Sequence, residues 1–244
     1  MRLVCISAAH APYDGALMER SAKRVGVEIV RFKEGEPWPN DFRVGKLVHG
    51  LECVKQLPAD MTHVMFVDSS DTLFLAGPEE IVRKFEAMRG QGSLAIVSGE
   101  KNCYPISELA EQYPAPDSPW RFVNSGSWIM RRENVGVVLE DVISRGEYCD
   151  QLCWHRAYLA VVTENWSDVM IDQNCQLFQS MFMQDCGDFS LKNGRLENLK
   201  TGGRPCVLHW NGTRNAGRPY SRDGVWSTLN ILSASSLTHK GVHA

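Results

Sequence analysis

The chain has 244 residues, of which 43% are hydrophobic, and a formal net charge of −3. This length is typical of one large domain, and such a composition can bury a substantial core. The slight negative charge argues against nonspecific nucleic-acid binding, which needs a basic surface, and no apolar run approaches the length of a membrane span.

The first apolar run, "LVCISA", starts almost at Met1. Because no export pattern follows it, we interpret it as a buried strand and not as a signal peptide. The eight cysteines are scattered singly through apolar surroundings, as reduced and buried thiols usually are, and they do not complete a zinc pattern. We therefore expect a cytoplasmic protein without disulfides.

Strand-like and helix-like segments alternate after this first strand. "ALMERSAKRVG" predicts a helix that ends at Gly26, "VEIVRF" a strand, and "GKLVHGLECVKQL" a second helix. "HVMFV" is the next strand, and "GPEEIVRKFEAM" has the Pro and Glu residues that favour a helix start. The later predicted strands are "SLAIVSGE", "RFVNSGSWIM" and "CVLHWNG".

This alternation indicates an α/β fold, in which a mostly parallel central sheet is flanked by helices. We expect one such domain over residues 1–220 and a peripheral helix with a frayed end over 221–244. Ligands of such sheets bind beyond the carboxyl ends of the strands. Polar clusters follow four of the apolar runs and predict one composite site there: Asp68 with Asp71, Glu100, Asn124-Ser125-Gly126, and His209-Trp210-Asn211-Gly212.

The stretch "HVMFVDSSDTLF" places Asp68 and Asp71 directly after a buried strand. Bringing two negative charges together costs free energy unless a positive group lies between them. Carboxylates suit Mg²⁺ or Mn²⁺, and His209, at the end of a late strand, favours Mn²⁺ because that ion tolerates imidazole better. In the alternative interpretation Asp71 caps a turn, Asp68 is solvated and His209 is a packed residue.

Three further segments offer polar groups. Asn124 and Ser125, with Gly126 allowing close approach to the backbone, suit a hydroxyl-rich ligand, although "NSG" is also a common turn. The "WNGT" loop after His209 offers backbone N–H groups to a phosphate. Asp150 begins a segment with helical spacing and could equally be an N-terminal helix charge.

Taken together, the chain resembles the glycosyltransferase domain of the procollagen lysyl hydroxylases and its relatives among the GT-A-fold, nucleotide-sugar-dependent glycosyltransferases. The matching segments occur in order and cover most of the chain to about residue 215: "MFVDSSDTLFLAGPEEIVRKF", "LAEQYP", "RFVNSGSWI", "DQLCWHRAYL", "DQNCQLFQS" and "LHWNG". Two differences from that family are that Ser70 replaces an aromatic residue and that the acidic run before "DQL" is reduced to Asp150.

The resemblance implies a Mn²⁺ ion, or Mg²⁺ in its place, which is held by Asp68, Asp71 and His209 and binds the diphosphate of a UDP-sugar. It implies contacts to the nucleotide from Ala8, Trp38, Lys46, Ser70, Gly212 and Thr213. It implies that the donor sugar and the acceptor lie near Tyr104, Glu100, Ser125 and Gly126. The implied catalytic residues, beside the donor sugar and the reacting centre, are Asn124 and Asp150.

The resulting hypothesis is a metal-dependent glycosyltransferase that moves a hexose, glucose or galactose, from a UDP-sugar to a hydroxyl of a glycan, protein or small molecule. Asp150 would act as general base in an inverting reaction or as a positioning group in a retaining one. Two alternatives stay open. One is a metal-dependent nucleotidyltransferase or sugar-phosphate hydrolase, although the chain has no P-loop motif. The other is a non-catalytic nucleotide- or carbohydrate-binding domain.

Overall fold

The computed structural model describes residues 1–10, 15–37, 42–90, 92–115, 118–146, 148–164, 168–184, 186–192 and 195–212. Three sequence-based expectations therefore lie outside the described residues: the nucleotide contacts assigned to Trp38 and Thr213, and the peripheral helix of 221–244.

The described residues form eleven strands and five α-helices. In chain order the strands are β1 (Leu3–Ala8), β2 (Glu28–Phe32), β3 (His63–Val67), β4 (Thr72–Phe74), β5 (Ala95–Glu100), β6 (Phe122–Arg131), β7 (Val169–Asp172), β8 (Phe178–Ser180), β9 (Phe189–Lys192), β10 (Arg195–Asn198) and β11 (Val207–His209). The helices are α1 (Ala16–Val25), α2 (Phe42–Gln56), α3 (Pro78–Arg89), α4 (Arg132–Ser144) and α5 (Asp150–Glu164).

Local sequence explains the ends of the first and third helices. Gly26 follows α1 with a φ of 78° and donates its backbone N–H to carbonyls of the last turn, which is the usual role of glycine at a helix end. α3 begins at Pro78, and Glu79 and Glu80 lie in its first turn near the positive end of the helix dipole. Both predicted boundaries are confirmed.

The central sheet has six strands in the order β2-β1-β3-β6-β5-β7. β6 pairs antiparallel with both β3 and β5, and the other five strands run parallel to one another. The predicted α/β fold with a mostly parallel sheet is confirmed, and this sheet with its helices forms a single domain. The reversed direction of β6 follows from tertiary pairing, which the apolar pattern of the strand does not encode.

A second sheet, in the order β4-β11-β8, brings distant parts of the chain to the carboxyl end of β3. β4 follows the acidic turn, and its residue Thr72 pairs with His209 of β11. β11 also pairs in parallel with β8. Each of these strands has three residues, too short for a periodic pattern to identify β4 or β8 from sequence.

Helices cover both faces of the central sheet. On one face, apolar side chains of α2, α4 and α5 pack against alternate residues of β1, such as Val4 and Ile6. On the other, α1 and α3 pack against Leu3 and Cys5. α4 is not among the predicted elements, although its buried apolar residues recur at helical spacing, which is the signal that identifies it: Val135, Val138, Leu139 and Val142.

The seven cysteines whose side chains the structure describes are all free, and six of them are buried.

In the part of the chain that is described, no helix combines the length and the apolar composition needed to cross a bilayer.

Two glycine-to-alanine substitutions should change stability in opposite directions. At Gly136, inside α4, an added Cβ meets no atom within 4 Å, so alanine should raise the free energy of unfolding by about 0.5–1 kcal/mol. At Gly203 the Cβ would lie 2.1 Å from the Asn174 carbonyl oxygen, so alanine should lower the free energy of unfolding by about 2 kcal/mol or more. Urea unfolding of both variants measures the difference, and equal effects would contradict these packing assignments.

Candidate active site

The pairing of β4 with β11 brings three ligand-type side chains together at the carboxyl end of β3. The His209 Nε2 lies 3.3 Å from Asp71 Oδ1 and 3.7 Å from Asp68 Oδ2. One ligand atom from each of these three residues lies within 4.8 Å of the others. His209 is buried, whereas each carboxylate is about one quarter exposed (27% and 26%), so the cluster opens to solvent on its acidic side.

Gly126 of β6 lets this strand lie directly against the cluster. A Cβ at this position would lie 2.1 Å from His209 Cε1 and 2.7 Å from Asp68 Oδ2. The Gly126 carbonyl also accepts a hydrogen bond from the backbone N–H of Asp68 at 2.9 Å, which fixes the start of the acidic turn. A side chain here would therefore displace the imidazole and a carboxylate together.

Asn124 orients the imidazole. Its Oδ1 accepts hydrogen bonds from the Gly126 backbone N–H at 3.1 Å and from His209 Nδ1 at 3.0 Å. With Nδ1 protonated, Nε2 is the nitrogen that faces Asp68 and Asp71, the arrangement commonly found for a metal-binding histidine. Burial acts to lower the pKa of His209, but Asp71 and Asp68 oppose it, so the pKa is raised.

Lys46 of α2 joins the acidic turn to α5. Its Nζ lies 3.0 Å from Asp68 Oδ1 and 3.1 Å from Asp150 Oδ2, and its side chain is 11% exposed. Burial acts to lower the pKa of Lys46, but the two carboxylates outweigh it and raise the pKa, so the lysine stays charged. Burial raises the pKa of Asp68, and Lys46 and His209 counteract this rise.

Glu100, the last residue of β5, connects the cluster to the loop after His209. Its Oε1 accepts from Gln151 Nε2 at 2.5 Å, and its Oε2 accepts from Asn211 Nδ2 at 2.6 Å. Burial raises the pKa of Glu100 to about 7, and the hydrogen bonds from Gln151 and Asn124 act in the opposite direction. Asn211 in turn accepts from Ser180 Oγ at 2.6 Å, so β5, β8 and β11 are tied to one another.

A buried polar chain supports the first turn of α5. The Tyr104 carbonyl accepts hydrogen bonds from Gln151 Nε2 at 2.9 Å and from His155 Nε2 at 2.8 Å. The other ring nitrogen of His155 accepts from the Tyr113 hydroxyl. Burial lowers the pKa of His155 to about 4, so the imidazole is neutral at physiological pH. Asp150 Oδ1 accepts the backbone N–H of Gln151 at 2.8 Å.

The contacts thus join most of the residues that the sequence analysis selects. Linked by hydrogen bonds or ion pairs are Lys46, Asp68, Asp71, Glu100, Asn124, Gly126, Asp150 and His209. Tyr104 reaches this set through its carbonyl, and Gly212, with a φ of 87°, follows Asn211. Ser125 is buried on β6, Ala8 is buried at the end of β1, and Ser70 lies on the acidic turn.

Two polar residues of the site were not selected from sequence, Gln151 and His155, and Asn211 is marked there only as a member of the polar cluster after β11. Gln151 directly follows the selected Asp150 in "DQL", and Asn211 lies two residues after His209 in "HWNG"; this proximity is the only local signal for them. His155 shows no pattern at all, because its role depends on a tyrosine hydroxyl 42 residues away in the chain.

Two comparisons with known proteins agree on one family. Residues 2–217 match the family model described as the PLOD GT domain. The bovine (Bos taurus) procollagen-lysine,2-oxoglutarate 5-dioxygenase 1 is 27% identical over 202 residues, which are 80% of this chain and 27% of that protein. The human (Homo sapiens) multifunctional procollagen lysine hydroxylase and glycosyltransferase LH3 is 28% identical over 223 residues, which are 86% of this chain and 30% of that protein.

An uncharacterized protein of Acanthamoeba polyphaga mimivirus is 26% identical over 82% of this chain and 43% of its own length. The chain therefore spans less than half the length of each of these relatives. Among solved structures, a glycosyltransferase involved in the glycosylation of the major capsid of PBCV-1 superposes with a TM-score of 0.53 at 13% identity, covering 95% of this chain and all of that one. This likeness shows a glycosyltransferase fold.

The lowered pKa of His155 predicts a loss of stability in acid. Because the folded-state pKa of about 4 lies below the ordinary value of 6.5, the neutral imidazole stabilises the fold fully above pH 6.5, and this contribution is lost as the pH falls toward 4. His155→Gln should be less stable at pH 7 but should lose about 2 kcal/mol less than the wild type between pH 7 and pH 4.5. Urea unfolding at both pH values tests this, and parallel losses in the two proteins would contradict it.

Proposed function

The chain belongs to the family of PLOD glycosyltransferase domains, and we propose that it transfers a hexose, glucose or galactose, from a UDP-sugar to a hydroxyl-bearing acceptor. The observation that carries this proposal is the cluster of Asp68, Asp71 and His209, with Lys46 and Asp150 beside it. The cluster lies beyond the carboxyl ends of parallel strands, where α/β sheets bind nucleotides.

Asp68, Asp71 and His209 would hold a divalent cation. Two carboxylates and an imidazole with close ligand atoms fit Mn²⁺, with Mg²⁺ as the alternative, and Gly126 lets the imidazole and the Asp68 carboxylate lie directly against β6. When bound, such a cation would act as a Lewis acid and stabilise the negative charge that develops on the leaving diphosphate.

Lys46 and the loop after His209 would bind the diphosphate. Lys46 stays protonated, because its two carboxylate neighbours raise its pKa, and a buried ammonium group supplies fixed positive potential at no cost of reorganisation. The backbone around Gly212 would donate N–H groups to the phosphate oxygens. The remaining nucleotide contacts would come from Ala8, Trp38, Ser70 and Thr213.

Asn124 and Asp150 would orient the two reactants. The Asp150 carboxylate is held in one orientation by Lys46 and by the Gln151 backbone N–H, so it presents a fixed acceptor to an incoming hydroxyl. It would take the proton as general base in an inverting reaction, or position the acceptor in a retaining one. Other residues proposed near the donor sugar and the acceptor are Glu100, Tyr104, Ser125 and Gly126.

Asp71→Ala should abolish turnover, because it removes one of the proposed metal ligands. The fold should persist, because the substitution removes one of two carboxylates that repel each other. We expect UDP release from UDP-glucose or UDP-galactose to fall at least about 100-fold, and the thermal shift caused by UDP with Mn²⁺ to disappear. The control is Asp141→Ala, which removes an exposed carboxylate of α4 that pairs with Arg145 four residues on. Full turnover of Asp71→Ala would refute the metal assignment, and a wild-type protein that binds UDP with Mn²⁺ but turns over no UDP-sugar would favour a binding domain.

Gly126→Ala tests the same site without removing a ligand. Its Cβ would enter the space between His209 and Asp68, so the metal-dependent thermal shift with UDP should be lost although all three ligand residues remain. Gly136→Ala is the matched control, because the same substitution there meets no atom within 4 Å. An unchanged metal-dependent shift in Gly126→Ala would show that the cation binds elsewhere.

A further inference from the structure

The turn after β10, residues 199–204, holds an apolar side chain in water on a firmly fixed backbone. Asn198 is fully buried, its Oδ1 accepts the backbone N–H of Lys200 at 3.0 Å, and its carbonyl accepts that of Gly202 at 2.8 Å. The backbone N–H of Leu199 donates to the Asp188 carbonyl at 2.8 Å, yet its side chain is 56% exposed. Since a single exposed leucine is common, its surroundings decide whether it has a role.

Cations outnumber carboxylates around this turn. Among the described residues, three carboxylates pair with five cations at 2.7–3.6 Å: Asp188 with Lys101 and Lys200, Glu80 with Lys84 and Arg195, and Glu197 with Arg204. Lys84 and Arg195 also donate to the Arg204 carbonyl, so the Glu80 group lies at the end of the turn. These ion pairs therefore leave an excess of positive charge on this surface.

The sequence shows the same local excess of basic residues. Residues 189–222 include seven Lys or Arg residues and one acidic residue, Glu197. The whole chain has 26 Lys or Arg and 29 Asp or Glu residues, so this segment departs from the charge of the rest. A local excess of one sign of charge on an otherwise acidic chain points to a partner of the opposite sign.

A second exposed apolar side chain borders the same cations. Met183 is 57% exposed, and its carbonyl accepts a hydrogen bond from Lys101 Nζ at 3.3 Å. Leu199 and Met183 therefore flank the Asp188 ion pairs from two sides. An anionic membrane matches both features, because its headgroups attract Lys and Arg while its acyl boundary takes up apolar side chains. A soluble polyanion would match the charges alone.

We propose that the turn 199–204, with Met183 beside it, docks onto an anionic lipid membrane. Leu199 and Met183 enter the boundary between headgroups and acyl chains, and Lys200 and Arg204, whose side chains are 46% and 60% exposed, meet the lipid headgroups. This inference goes beyond the proposed function and does not depend on it.

Sedimentation of the full chain with lipid vesicles tests this docking surface. We expect binding to vesicles of equal parts phosphatidylcholine and phosphatidylserine, which weakens as salt is added, and no binding to phosphatidylcholine alone. Leu199→Ala should weaken binding to the anionic vesicles about tenfold. Lys200→Gln and Arg204→Gln should each weaken it about fivefold.

Val137→Ala is the matched control. Val137 on α4 is 57% exposed, like Leu199, but the exposed carboxylate of Glu133 lies one helical turn before it. Its truncation should leave vesicle binding unchanged. All four variants should keep the thermal unfolding midpoint of the wild type, because each of them alters an exposed side chain.

Three outcomes would overturn the inference. The first is a wild-type protein that does not bind the anionic vesicles. The second is unchanged vesicle binding in Leu199→Ala, Lys200→Gln and Arg204→Gln, which would place the membrane contact elsewhere in the chain. The third is binding of soluble poly-glutamate without binding of vesicles, which would identify an acidic protein as the partner.

Discussion

The structure depends above all on how it accommodates negative charge at one edge of the central sheet. Asp68, Asp71, Asp150 and Glu100 converge there, and carboxylates that approach one another in a buried setting are unstable without compensation. Lys46 offsets two of them by direct contact, and amide donors satisfy Glu100. Asp71 faces His209, whose own pKa is raised by the acidic groups around it. The arrangement suits a cation between Asp68 and Asp71, which is the basis of the proposed metal site.

This convergence is imposed by the two sheets together. The acidic turn follows β3 and leads into β4, and β11 pairs with β4 so that His209 lies opposite Thr72. The backbone N–H of Trp210 donates to the Asp71 carbonyl at 2.8 Å, which extends this pairing beyond the strand ends. The glycine at position 126 then lets β6 pass close to the imidazole. Side chains held at the ends of paired strands are placed more rigidly than side chains on loops alone.

A second layer of buried polar contacts links the acidic cluster to α5. From Tyr113 the contacts pass through His155 to the Tyr104 carbonyl, then through Gln151 to Glu100 and on to Asn211. Each group in this chain has a partner, which is the condition under which buried polar networks rigidify a fold rather than weaken it. The end of β5, the first turn of α5 and the segment after β11 are thereby held together.

The α/β class, most helix and strand positions and the acidic turn can be predicted from the amino-acid sequence alone, because these depend on local periodicity, glycine and proline positions and residue chemistry. The family resemblance added Lys46 and joined it with His209 and Asp150, which the residue pattern already marks, in one set. Four features depend on long-range packing instead: the antiparallel direction of β6, the pairing of β4 with β11, the Lys46–Asp150 contact, and the hydrogen bonds of Gln151, His155 and Asn211. Partners such as Glu100 and Asn211 are 111 residues apart, and no local pattern specifies which buried donor meets which carboxylate. Short strands and charge pairing are fixed by packing, which assembles residues that the linear chain keeps apart.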